Sequence, residues 1–96
     1  MNSNFTQHSP NRFESSEGFS VEIEGQSRVR YSEGDKSILI ESESMATAGS
    51  MVLYRASIKK WDAPYGADVI TERDCEEIVS RVVSAFVWRG YKLDVE

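Results

Sequence analysis

The 96-residue sequence predicts an α+β domain: an antiparallel meander of three or four strands, one C-terminal amphipathic helix packed on the sheet, then a final short strand. Three observations carry this. Apolar and polar residues alternate at period two through several stretches of the first sixty residues. One later run switches to the period of 3.6 that marks a helix, with capping residues at both ends. Alternation then returns in the last residues.

The first stretch, residues 1–17, is rich in Asn, Ser, Gln and Glu. Phe5 and Phe13 lie in it without any period. It reads as a disordered N-terminal arm, and residues 18–96 as a single domain. FSVEIE, residues 19–24, alternates, with Phe19, Val21 and Ile23 toward a core. Gly25 and Gln26 interrupt it. RVRY continues with Val29 and Tyr31 on one face. SEGDK, residues 32–36, places Gly and Asp where a hairpin turn needs them. SILIES puts Ile38 and Ile40 on one face and Leu39 on the other. ESMATAGS reads as a loop, and MVLYRASI, residues 51–58, as a less regular strand.

The helix is the best-specified element. Thr71 is a good N-cap, and Asp74 three residues on approximates a capping box, with Ile70 and Cys75 at the positions of a hydrophobic staple. Glu72, Asp74, Glu76 and Glu77 fill the first turns, where the helix dipole favours negative charge. Cys75, Ile78, Val79, Val82, Val83 and Phe86 follow helical spacing. Glu77 and Arg81 form an i, i+4 pair. Gly90 stands where a left-handed terminus is expected. YKLDV, residues 91–95, alternates as the last strand.

Composition excludes several functions. No apolar run is long enough for a transmembrane helix, which needs about 18 residues, and the N-terminus lacks the apolar core of a secretory signal. The one cysteine, Cys75, allows no internal disulfide. Together these indicate a cytoplasmic protein with no membrane partner. The net charge of −5 argues against nucleic acid. The excess is concentrated in the first fifty residues, which hold eight acids against four bases. Such a surface speeds the approach of a basic protein.

Catalytic patterns are missing. His8, the single histidine, falls in the arm, where a fixed catalytic pair cannot form. Cys75 falls on the apolar helix face and reads as a packing residue. One His and one Cys do not make a zinc site. There is no phosphate-binding glycine loop and no nucleophile elbow. Glu41 with Glu43, and Glu76 with Glu77, are paired carboxylates that a strand end and a helix dipole explain without chemistry. The expectation is therefore a non-enzyme with no cofactor and no metal.

Two places suggest partner binding instead. Trp88 lies almost opposite the apolar helix face, so it is either an exposed contact residue or is covered by the arm or a dimer mate. The loop KKWDAPYG, residues 59–66, crowds Trp61, Asp62, Pro64 and Tyr65 together. Trp61 reads either as a plug over the end of the core or as a recognition residue. Asp62 would bond loop amides. Lys59 and Lys60 would snorkel around an apolar neighbour. Tyr65 reads as packed or as outward-facing for recognition. Glu41 and Glu43 complete the set of partner-binding candidates.

The succession RVRYSEG, SILIES, VLYRASIKKWDAPYG, an amphipathic helix and RGYKLDVE resembles the immunity protein 74 family of bacterial polymorphic toxin systems. The resemblance covers residues 28–96 and is strongest at Ser57, Ile58, Trp61, Asp62, Pro64 and Tyr65, followed by Arg89-Gly90. Ala63 replaces the first of two prolines in the family pattern, which implies a less rigid loop. The resemblance implies a non-enzymatic protein that binds and neutralises a cognate toxin domain. The alternative is a small homodimeric structural or regulatory domain, with Trp88 and the helix face in the interface.

Overall fold

The computed structural model describes residues 5–46 and 49–96, and the side chain of His8 lies outside the described set. Among the described residues seven strands follow in chain order: β1 Phe5–Ser9, β2 Arg12–Ser15, β3 Phe19–Glu24, β4 Arg28–Glu33, β5 Lys36–Ser44, β6 Ser50–Leu53 and β7 Lys92–Val95. A short 3₁₀ turn, Arg55–Ser57, and one helix, α1 Glu72–Arg89, separate β6 from β7. The strands lie side by side in sequence order in one curled sheet. Each pairing is antiparallel except β6 with β7. A parallel neighbour requires a crossover, and α1 supplies it.

The fold class is as expected, but the sheet exceeds three or four strands. Residues 5–15 of the expected arm form the hairpin β1–β2 instead, while residues 1–4 lie outside the described set. The physical reason is on the inner face. Phe5 stands opposite Ser15, and Gln7 opposite Phe13. Phe13 is 0% exposed and Ser15 is buried, its hydroxyl accepting the Glu17 N–H at 2.9 Å. A face built from Phe5 and Phe13 with an exposed Gln7 and a buried, hydrogen-bonded Ser15 shows no apolar period.

Strand β4 keeps the predicted alternation, with Val29 and Tyr31 buried, whereas in β3 Phe19 and Val21 are buried but so is Ser20, and Ile23 is only partly covered. Gly34, the first turn residue of the β4–β5 hairpin, has φ +56°, where L side chains are strained. The strand predicted over residues 51–58 is shorter. It ends at Leu53, because the chain turns and the Tyr54 carbonyl accepts from both the N–H and the hydroxyl of Ser57. Residues 47 and 48 of the preceding loop lie outside the described set.

The α1 termini match the sequence reading. The Thr71 hydroxyl accepts the Asp74 N–H, and the Asp74 carboxylate accepts the Thr71 N–H, both at 3.1 Å. Gly90 is left-handed at φ 85°. The buried stripe is Cys75, Ile78, Val82, Ala85 and Phe86, with Val79 partly covered. The stripe lies on the inner face of the sheet and closes one continuous core that also holds Phe13, Tyr31, Leu53 and Trp61.

Candidate partner-binding site

Trp61 is 6% exposed, and its ring centre lies 6.3 Å from that of Tyr31. It is a plug in the core, so its ring is not a surface for contact. The residue after it pins the loop to the sheet. The Asp62 N–H donates to the Ser37 carbonyl at 2.8 Å. Its carboxylate does not bond loop amides as expected. It accepts from the Arg30 guanidinium at 3.2 Å, which also donates to Glu24 at 2.6 Å and to the Ser37 hydroxyl at 3.3 Å. These carboxylates, Glu24 first, hold Arg30 above its ordinary pKa. Asp62 is thus a bracket between loop and outer sheet face.

Beyond the bracket the loop turns outward. Pro64 is exposed and Tyr65 half-buried. The cation beside the aromatics is Lys36 rather than Lys59 or Lys60. Its ammonium lies 5.7 Å from the Trp61 ring centre and 5.8 Å from that of Tyr65, and pairs with Asp68 at 2.9 Å. A cation over an aromatic face is attracted by the ring quadrupole. The hydrogen bond to Asp68 raises the Lys36 pKa.

Next to this lies a groove of about 430 Å³ lined in part by Glu33, Asp35, Lys36, Tyr65 and Arg81. Its inner wall is a buried phenol network. The Tyr31 hydroxyl donates to Glu33 and accepts from Arg81, each at 2.8 Å. Arg81 also approaches Glu33 at 3.5 Å and Glu77 at 3.7 Å, and its guanidinium lies 4.9 Å from the Phe19 ring centre. Burial, more than the neighbouring Glu33, pushes the Tyr31 pKa well up, and Arg81 opposes the shift. A phenol carrying no charge and two strong partners orders this end of the sheet. It does not offer a nucleophile.

The remaining candidates lie elsewhere. Glu41 and Glu43 are exposed on one face of β5, as their spacing of two predicts. Glu43 accepts from the Tyr54 hydroxyl at 2.8 Å, which raises the Tyr54 pKa. Five residues of strand separate Lys36, the partner of Glu33, from Glu41. That distance is about 17 Å. Trp88 is 44% exposed. Its inner side packs on Phe5 at 5.5 Å and Phe13 at 6.1 Å, so the β1–β2 hairpin covers it in part. The structure therefore brings Tyr65, Glu33 and Asp35 together and leaves Glu41 with Glu43, and Trp88, as two separate places.

Cys75 is buried in the core, and no group of three His, Cys, Asp or Glu residues is arranged for a metal among the described residues. No helix among them is long and apolar enough to cross a membrane. Against known families, residues 20–96 match immunity protein 74. The chain belongs to the immunity protein 74 family. Neither a curated protein nor a solved structure matches it. Membership implies a toxin-neutralising immunity role. The immunity 74 match holds the whole loop of residues 57–66 and the helix, and it begins one residue inside β3, so the β1–β2 hairpin lies outside it.

Sequence reading missed Tyr31, Arg81, Arg30 and Lys36 in this immunity 74 chain. A signal existed for the first pair. A tyrosine on a core-facing strand position needs a partner for its hydroxyl, and Arg81 was the nearest cation on the facing helix. For Arg30 and Asp62, 32 residues apart, no local pattern carries the contact.

Proposed function

We propose that this chain neutralises a cognate toxin domain by binding it, without chemistry of its own. The family match over residues 20–96 is the observation that carries the reading. Two features support it. The chain is acidic, with net charge −5, which suits a basic partner. Its conspicuous loop is anchored from within by Trp61 and Asp62 while Tyr65 and Pro64 remain at the surface, an arrangement that orders a recognition loop before binding.

Within this proposal the contact centres on Tyr65 and Pro64, with Glu33 and Asp35 beside them. Trp61 and Asp62 act from behind as supports. Glu41 and Glu43 steer the encounter from further along β5, and Trp88, in the last turn of α1 beside the β1–β2 hairpin, is a second aromatic contact. The test is binding of the immobilised chain to its cognate toxin domain, at two salt concentrations. Tyr65→Ala should speed dissociation roughly tenfold or more, as a hot spot worth over about 1.4 kcal/mol does. Reversing Glu41 and Glu43 together should slow association and flatten its salt dependence. Tight binding that neither change alters would place the contact elsewhere.

A further inference from the structure

We infer that the chain pairs with a second copy of itself through the free edge of β7, the two strands running antiparallel about a two-fold axis. The inference stands apart from the toxin reading. Among the described residues β7 pairs on one side only, with β6. The Lys92 N–H donates to the Gly49 carbonyl at 2.8 Å and the Glu96 N–H to the Leu53 carbonyl at 2.9 Å, while the Glu96 carbonyl accepts from Arg55 at 2.7 Å. Alternate residues of a parallel strand face the same neighbour. Asp94 therefore also faces β6, and the backbone groups of Leu93 and Val95 point outward. The Tyr91 N–H is taken by the Phe86 carbonyl at 2.8 Å, which leaves the Tyr91 carbonyl for the edge.

The two edges of the sheet differ. β1 carries a register irregularity between Gln7 and Ser9, a common protection of an edge. β7 has neither irregularity nor proline, and Val95 is an exposed apolar residue at 38%. A lysine on an edge ordinarily discourages pairing. Here Lys92 selects the register. With Leu93 opposite Leu93 of the second copy, Lys92 falls opposite Asp94 twice by symmetry, and Val95 falls opposite Tyr91. Shifting the register one way sets Lys92 against itself. Shifting it the other way sets Asp94 against itself, although Lys92 then falls opposite Glu96, and a further step sets Asp94 against Glu96. Like charges directly opposite destabilise a sheet pair and opposite charges stabilise it, so only the register centred on Leu93 gives opposite-charge pairs with no like pair. In it each Leu93 N–H donates to the other Leu93 carbonyl, and each Val95 N–H to the other copy's Tyr91 carbonyl.

Sedimentation of the full chain over a roughly hundredfold range of concentration tests this. The mass should rise toward that of a dimer. Lys92→Asp alone, or Asp94→Lys alone, should weaken association about tenfold or more, since opposite charges become like charges at both symmetric positions. The double variant restores opposite charges and should restore association. Both side chains are exposed, and circular dichroism melts check that each variant folds. A constant monomer mass overturns the inference. So does a dimer indifferent to the single changes, a double variant that fails to recover, or an edge substitution that affects only toxin binding.

Discussion

Replacing Phe13 by Ala should destabilise the protein by about 3–5 kcal/mol, the usual cost of emptying a phenylalanine site in a core. Phe13 is 0% exposed, stands opposite Val21 of β3, and touches Trp88 of α1 edge-on at 6.1 Å. Its removal leaves a cavity between sheet and helix. A domain of this size has about 5–15 kcal/mol of stability in total, so about a fifth or more would go. At about 4–8 °C per kcal/mol, the melting midpoint should fall by roughly 12–40 °C. Phe5 is only half-buried, so Phe5→Ala should cost less. The assay is urea unfolding followed by circular dichroism and by tryptophan emission, since both phenylalanines lie against Trp88. A loss under about 1 kcal/mol, with emission unchanged, would show that residues 5–15 do not belong to the core and would restore the reading of a free arm.

Two further perturbations test the site and the helix. Tyr31→Phe removes the phenol between Arg81 and Glu33 and should cost about 1 kcal/mol near neutral pH. The folded Tyr31 pKa is raised, so the contribution of the phenol is complete below the ordinary tyrosine value of about 10 and is lost as pH rises from there toward the folded value. The stability gap between wild type and variant should therefore narrow above about pH 10, and a gap constant through that range would refute the buried network. Thr71→Ala removes the hydroxyl that accepts the Asp74 N–H, leaving the backbone half of the capping box in place, and should cost about 0.5–2 kcal/mol in urea unfolding, with Thr71→Ser close to neutral; an unchanged Ala variant would place the helix start elsewhere.

The elements legible in the sequence were those whose signal is local. The α1 boundaries follow from Thr71, Asp74 and Gly90, and its face from six apolar residues at helical spacing. Val29, Tyr31, Ile38 and Ile40 marked the central strands in the same way. The β1–β2 hairpin was illegible because its inner face alternates Phe5 and Phe13 with Gln7 and Ser15, and a buried serine that finds its own hydrogen bond looks like a surface residue. In the candidate site, the density of aromatics at residues 61–65 marked the loop as a whole. Its internal division did not show, because whether Trp61 or Tyr65 faces inward depends on Tyr31 and Lys36, which come from other strands. Glu33 and Asp35 stand beside Tyr65 and apart from Glu41 and Glu43, a grouping that no local pattern carries because the loop of residues 59–66 reaches the β4–β5 turn only in the folded chain.

The central claim is that the chain neutralises a toxin by occupying it. The most direct measurement is a titration of the activity of its cognate toxin domain with the purified chain, at toxin concentrations well above the dissociation constant. A stoichiometric inhibitor removes activity linearly and reaches the end point at one chain, or one dimer, per toxin domain. Activity that survives a large excess of the folded chain would contradict the immunity reading. Inactivation completed by a small fraction of an equivalent would contradict the claim that the chain acts by binding alone.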